Sequence, residues 1–299
     1  MGSPEFAVPC LRALAGAYPV VGVVTQPDAP AGRGRELRPP AVKQLALELG
    51  LALIQPARLR APEAMAQLQD WSPELIVVTA FGQILRPAVL DLPRYGCINV
   101  HASLLPRWRG AAPINAAIFH GDTLSGVTVM RMDPGVDTGP VIAQRAAAIL
   151  PDEDALQLGD RLAALGANLL LHTLPAYLGG LLTPQAQDER GATYAAMLTK
   201  DDGRLDFNRP AEALARQVRA YQPWPGAAFD WNGASLKVLR AHAAPHPDQP
   251  EQPGQRLVQG GLPAVVCGSG LLVLDELQPA GKKAMSGAAF VQGARQWTI

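Results

Sequence analysis

The sequence predicts an α/β fold: a doubly wound, mostly parallel sheet, followed by a smaller β-rich region that forms a small open β-barrel. Three observations carry this. Nearly uninterrupted apolar runs recur at Pro19 to Thr25 (PVVGVVT), Leu75 to Ala80 (LIVVTA), Cys97 to His101 and Gly126 to Met132, and strands without a polar face suit a sheet covered on both sides. Segments of helical period lie between these runs, as in a series of βαβ units. Beyond about residue 206 the pattern changes to short strands punctuated by turn residues. A chain of 299 residues is long enough for two cores. The expected division is an α/β domain over 1–182, a linker over 183–205 and the β-rich domain over 206–299.

Along the chain, Ser3 stands as a helix N-cap with Pro4 at the first helical position. Asp152 or Asp154 opens a long helix in which Leu158, Leu162, Leu165 and Leu169 recur at spacings of three and four, and Gly179-Gly180 ends it. Leu182 to Asp206 is polar and irregular. Ala211 to Ala220 reads as a short helix. Asn232-Gly233 between Ala227 to Trp231 and Ser235 to Leu239 is a strong hairpin signal, and Gly268-Ser269-Gly270 separates Ala264 to Cys267 from Leu271 to Leu277. Ala244 to Gln255 is a Pro-rich loop with no residues of evident chemistry.

Composition excludes several classes. With 26 basic and 26 acidic residues, no global field draws the chain to nucleic acid. Any such affinity must be local, and Arg33, Arg35, Arg38 and Lys43 face only Glu36 between Ala31 and Lys43. High aliphatic content excludes a mainly disordered chain. The longest apolar stretches fall far short of a membrane span, and no targeting pattern opens the sequence. Cys10, Cys97 and Cys267 are odd in number and widely spaced; they read as reduced, buried residues of a cytoplasmic protein and offer no metal spacing.

The most informative stretch is Asn99 to Gly110 (NVHASLLPRWRG). Ile98 and Val100 alternate with Asn99 and His101, so at a strand end the two polar side chains share one face. Asp137, in Asp133 to Pro140 (DPGVDTGP), sits between glycines in a tight turn whose start Asp133 would cap. An amide, an imidazole and a carboxylate together form a plausible acyl-transfer constellation. Ser103 is not read as a nucleophile, because no G-x-S-x-G elbow presents it. His120, His172, His242 and His246 have no partner pattern and are assigned to structure or solvent.

These residues resemble those of the formyltransferases that use 10-formyltetrahydrofolate. QPDAPAGRGRELRPPAVK from Gln26, WRGAAPI from Trp108, YQPWP from Tyr221 and QPAGKKAMS from Gln278 are similar to the methionyl-tRNA formyltransferase branch of that family. The resemblance implies catalytic roles for Asn99, His101 and Asp137. It implies a folate site from Ser103, Leu104, Leu105 and Pro106 with Phe81, Gly82, Gln83, Ile84 and Leu85 (FGQIL). It further implies contacts to methionyl initiator tRNA from Arg33, Arg35, Arg38, Lys43, Lys282 and Lys283, a C-terminal barrel of the oligonucleotide-binding type, and no need for a metal or membrane; a monomer is expected. Two departures stand out: the family's first strand would precede Met1, and Met197 stands where a lysine is expected. Rival readings are a formyltransferase acting on a sugar nucleotide or a ribonucleotide amine, and a noncatalytic RNA-binding relative lacking that strand. The arginine-rich loop and PAGKKAM argue against the first.

Overall fold

The computed structural model describes residues 1–31, 36–246, 252–294 and 296–298. Arg33 and Arg35, and the middle of the Pro-rich loop, lie outside the described residues. The chain forms two compact units. One comprises Met1–Gly110, Ser125–Ala148 and Gly159–Ala195; the other comprises Ala111–Leu124, Ile149–Leu158 and Ala196–Ile299.

In the first unit the elements run α1 (Val8–Ala17), β1 (Val23–Val24), β2 (Ala29–Ala31), β3 (Glu36–Arg38), α2 (Ala41–Glu48), β4 (Leu53–Ile54), α3 (Pro62–Trp71), β5 (Ile76–Val78), α4 (Pro87–Leu90), β6 (Cys97–His101) and β7 (Arg109–Gly110). After α5 (Pro113–His120), which belongs to the second unit, come β8 (Leu124–Arg131), β9 (Val141–Ala148), α6 (Ala155–Leu178), which falls in the first unit from Gly159 onward, and β10 (Tyr194–Ala195). The principal sheet has the order β5-β6-β8-β9. Strands β5 and β6 are parallel, with Val78 beside Asn99, but β8 runs antiparallel to β6, with His101 beside Thr128. The sheet is therefore mixed rather than mostly parallel. The apolar run reported burial correctly, since β8 is covered from Ser125 to Met130, but burial carries no information on direction.

Helix α6 begins as its sequence dictates. Asp154 Oδ1 accepts from Gln157 N at 2.9 Å while Gln157 Oε1 accepts from Asp154 N at 3.1 Å, a reciprocal cap. Leu158, Leu162 and Leu169 are buried, joined by Leu170 and Leu174. Gly166 lets the helix lie close to the sheet, because a Cβ there would stand 2.8 Å from Val100 Cγ1.

Strands β1 and β4 form a separate parallel pair. Met1 and Gly2 join β1 to β5: Gly2 N donates to Val24 O at 3.1 Å and Thr79 N to Met1 O at 2.9 Å, and Gly2 bridges Thr79 in parallel. Alongside them is a cavity of about 380 Å³ lined by Val23, Ile76, Leu68, Trp71 and Leu174 among others. The Met1 amine donates to Val77 O at 2.6 Å, and burial lowers its pKa to about 6. Ser3 does not cap a helix. Its hydroxyl accepts from Gln26 N at 3.1 Å and from Thr25 Oγ1 at 3.2 Å, so the end of β1 has claimed the oxygen that capping would use.

In the second unit α7 (Ala211–Ala220) packs on a six-stranded antiparallel sheet built from β11 (Ala227–Trp231), β12 (Ala234–Ala244), β13 (Arg256–Gln259), β14 (Leu262–Val266), β15 (Leu271–Pro279) and β16 (Met285–Ser286), and α8 (Gly287–Gly293) follows. Asn232 and Gly233 turn β11 into β12 with φ of 53° and 74°, as a type I′ turn requires. The order β11-β12-β15-β14-β13, with β16 on β15, leaves β11 and β13 unpaired with each other among the described residues, so no closed barrel forms. Helices α7 and α8 cover the sheet, through β12 and β15 and through β14 and β15 respectively. Trp297 plugs this core: it is 1% exposed, packs among Phe229, Trp231 and Phe290, and donates from Nε1 to Leu257 O at 2.7 Å. Among the described residues no helix is long and apolar enough to cross a membrane.

Candidate active site

The site is built at the end of β6, where the chain leaves the sheet. Thr128 of β8 fixes the exit: its Oγ1 donates to Ser103 O at 2.6 Å and accepts from Leu105 N at 3.1 Å. Ser103 Oγ donates to Arg107 O at 2.5 Å and closes the turn, and Gln144 Nε2 donates to Leu105 O at 2.8 Å. The chain then passes through Trp108, at φ 60°, and Gly110, at φ 110°. Only glycine fits the second position, since a Cβ there would lie 2.5 Å from Ala195 O.

This turn brings one backbone group to His101 of β6 and another to Asp137. His101, 6% exposed, has Nε2 2.9 Å from Trp108 O; a carbonyl can only accept, so Nε2 carries the hydrogen. Nδ1 then faces Asp137 Oδ2 at 3.6 Å. Asn99 Nδ2 donates to Asp137 Oδ1 at 3.2 Å, and Gly110 N donates to Asp137 Oδ2 at 2.8 Å. One carboxylate is thus shared by an amide, an imidazole and a backbone N–H. Its loop is held by Asp133, whose Oδ1 accepts from Gly135 N at 3.1 Å and Thr138 Oγ1 at 2.6 Å, and Asp137 itself adopts φ 52°.

The remaining predicted residues are divided by burial. Phe81 and Leu85 belong to the core, while Gly82 and Ile84 are exposed. Gln83 ties the segment down, accepting from Leu59 N at 2.8 Å and donating to Pro56 O at 3.1 Å. Ser103 and Leu105 are buried, leaving Leu104 and Pro106 half-exposed. Lys43 is spent on an ion pair with Asp28, with Nζ 2.7 and 2.8 Å from the two oxygens; Gln55 and then Lys43 hold the Asp28 carboxyl below its ordinary range. Arg38, Lys282, Lys283 and Met197 are exposed. His242 forms an exposed pair with Asp275 at 2.9 Å, a partner that the sequence pattern did not show. Burial raises the thiols of Cys10, Cys97 and Cys267 to about 11, 12 and 11 respectively, so none is a thiolate at neutral pH.

Sequence reasoning missed the segment between Gln185 and Ala195, read as linker. Trp108 N donates to Thr193 Oγ1 at 2.9 Å, Arg109 N to Thr193 O at 2.9 Å, and Thr193 N to Pro106 O at 3.2 Å. Without periodicity or a motif, nothing in the segment announced that it straps the site loop.

Residues 8–174 match the family model described as formyl transferase, and residues 197–295 match that of the formyl transferase C-terminal domain. The methionyl-tRNA formyltransferase of Myxococcus xanthus (strain DK1622) is 50% identical over 98% of this chain and 93% of its own length. The chain belongs to the methionyl-tRNA formyltransferase family. The member from Thiobacillus denitrificans (strain ATCC 25259 / T1) is 51% identical over 98% of this chain and 94% of its own. Among solved structures, WlaRD, a sugar 3N-formyl transferase crystallised in the presence of dTDP and 5-N-formyl-THF, superimposes with a TM-score of 0.68 over 94% of this chain and 97% of its own. At 17% identity that is a likeness of fold alone. The family's two-part architecture, α/β followed by a C-terminal domain, is the one this chain adopts.

Proposed function

We propose that this chain transfers the formyl group of 10-formyltetrahydrofolate to the free amino group of methionyl initiator tRNA, in the cytoplasm, for translation initiation. The Asp137 carboxylate carries the reading, because it gathers Asn99, His101 and the Gly110 amide at a strand end in a chain half identical to enzymes of that name. The folate donor supplies a one-carbon unit whose carbonyl oxygen gains negative charge as the amine adds. Asn99 spends one amide hydrogen on Asp137 and keeps the other for that oxygen. His101, on the same strand end, is the second group assigned to that oxygen, and one such donor is typically worth about 3 kcal/mol. Asp137 holds both donors in place and takes the proton that the amine sheds, directly or through water, for return to the departing nitrogen. No covalent enzyme intermediate is required: Ser103 is tied to Arg107.

The exposed crest Gly82 to Ile84, seated on Phe81 and Leu85, together with Leu104 and Pro106 beyond the buried Ser103 and Leu105, fits an extended aromatic cosubstrate at the C-terminal ends of strands. A formylation assay with labelled donor and methionyl initiator tRNA tests the whole reading. Turnover of an amino-sugar nucleotide without turnover of the charged tRNA would replace it.

Arg33, Arg35 and Arg38, with Lys282 and Lys283, are assigned to tRNA phosphates, and the C-terminal domain to the oligonucleotide-binding type. Lys43, already paired, contributes less. Replacing Arg33, Arg35 and Arg38 together by alanine weakens tRNA binding and leaves folate binding alone. Each lost phosphate contact flattens the slope of log affinity against log salt by about one. An unchanged slope in the triple variant would remove this loop from the interface.

A further inference from the structure

We propose that Arg109 and Gln187 are positioning residues for the transfer, setting where the Asp137 carboxylate sits; the inference rests on the function proposed above. Arg109 is fully buried, and a guanidinium persists there only with its donors matched. Nε and Nη2 donate to Gln187 Oε1 at 3.0 and 2.9 Å. Nη1 and Nη2 donate to the two oxygens of Glu189 at 2.9 and 2.8 Å, which holds the guanidinium charged.

Gln187 passes this order onward. Its Nε2 donates to Asp137 O at 2.8 Å and to Gly139 O at 2.7 Å. Because the guanidinium fixes Oε1 on one side, only the amide nitrogen can face those two carbonyls. The bond to Asp137 O acts on a residue whose φ of 52° is unfavourable for any side chain. Meanwhile Gly110, the next residue after Arg109, donates its N–H to Asp137 Oδ2. The two residues of β7 therefore grip Asp137 at both ends, the carboxylate directly and the carbonyl through Gln187. Gln187 Oε1 completes the partners of the guanidinium, while its Nε2, among the described residues, donates to the Asp137 loop alone. Neither Arg109 nor Gln187 touches the reacting atoms.

Gln187→Glu separates the two roles, since it keeps the acceptor for Arg109 and replaces both donors by an oxygen facing two carbonyls. The expected result is a kcat lower by about 10- to 100-fold, the scale of a misplaced catalytic group, with KM for both substrates within about twofold of the parent. Gln187→Met, which removes the donors and the Arg109 acceptor together without adding charge, is the second variant if the first melts early, and there too kcat falls while KM holds. In combination with Asp137→Ala, Gln187→Glu adds nothing further, because it acts only through that carboxylate. An unchanged kcat in both Gln187 variants, or a loss that multiplies in the double variant, overturns the inference while leaving Asp137 in place. If Asp137→Ala itself leaves transfer unslowed, the site reading fails and this inference with it.

Discussion

Replacing Asn99, His101 or Asp137 by alanine slows formyl transfer by about 100-fold or more, the cost of losing one oxyanion donor or general acid-base group. The three losses are not independent. Asn99→Ala leaves Asp137 Oδ1 without its amide donor, and Asp137→Ala releases both Asn99 and the Gly110 N–H. Double variants therefore fall short of the product of the single effects. Folding survives, because Asn99 and His101 stand at the end of β6, Asp137 lies in the loop between β8 and β9, and the core residues Ile98 and Val100 are untouched. Single-turnover rates with saturating tRNA check this, and a variant within about threefold of the parent would remove that residue from the chemistry.

A strand of about six apolar residues added ahead of Met1 raises the melting temperature by about 10 °C. The place for it is between β1 and β5, where Met1 and Gly2 already bond to both sides beside the 380 Å³ cavity. Each apolar side chain buried there gains about 1.5–3 kcal/mol and each ladder hydrogen bond about 1 kcal/mol. Ordering each residue costs about 1–2 kcal/mol, so a net few kcal/mol remains, and one kcal/mol moves the melting point by about 2–4 °C in a chain of this size. The addition also removes a buried amine from the interior. The Met1 amine has a folded pKa of about 6 against 8.0 when free, so between those values the unfolded chain binds more protons. Stability consequently rises as pH goes from 6 to 8, by about 3 kcal/mol at most, and the extended chain loses that dependence. Equal, pH-parallel melting of the two proteins would show that another segment already fills that place.

What was legible in the sequence was whatever local chemistry decides. Strand β6, the leucine stripe of α6, the span of α7 and the Asn232-Gly233 turn each follow from a few adjacent residues. So did the sharing of one face by Asn99 and His101. The choice between Asp152 and Asp154 as the cap of α6 had to await the structure. The direction of β8 was not legible, because a run covered on both faces looks alike whichever way it points. Ser3 has the chemistry of a cap, and only its place beside Gln26 N, far along the chain, diverts it. Lys43 reads as a free cation until Asp28 and Gln55 are seen around it. Gln187 and Thr193 stood in a stretch with no period at all, and their meaning lies entirely in the loop they meet.

The position of Trp297 sets a schedule for synthesis. Everything that the first unit needs has been made once Ala195 is joined, whereas the second unit's core stays open until residue 297 arrives to fill it. At about 5–20 residues per second, translation leaves that sheet waiting about 1–4 seconds with β11 to β15 made and their shared plug absent. The second half of this chain is therefore the part exposed to chaperones and to its own nascent copies on a polysome, and damage close to the last residues falls on the heart of a core rather than on its fringe.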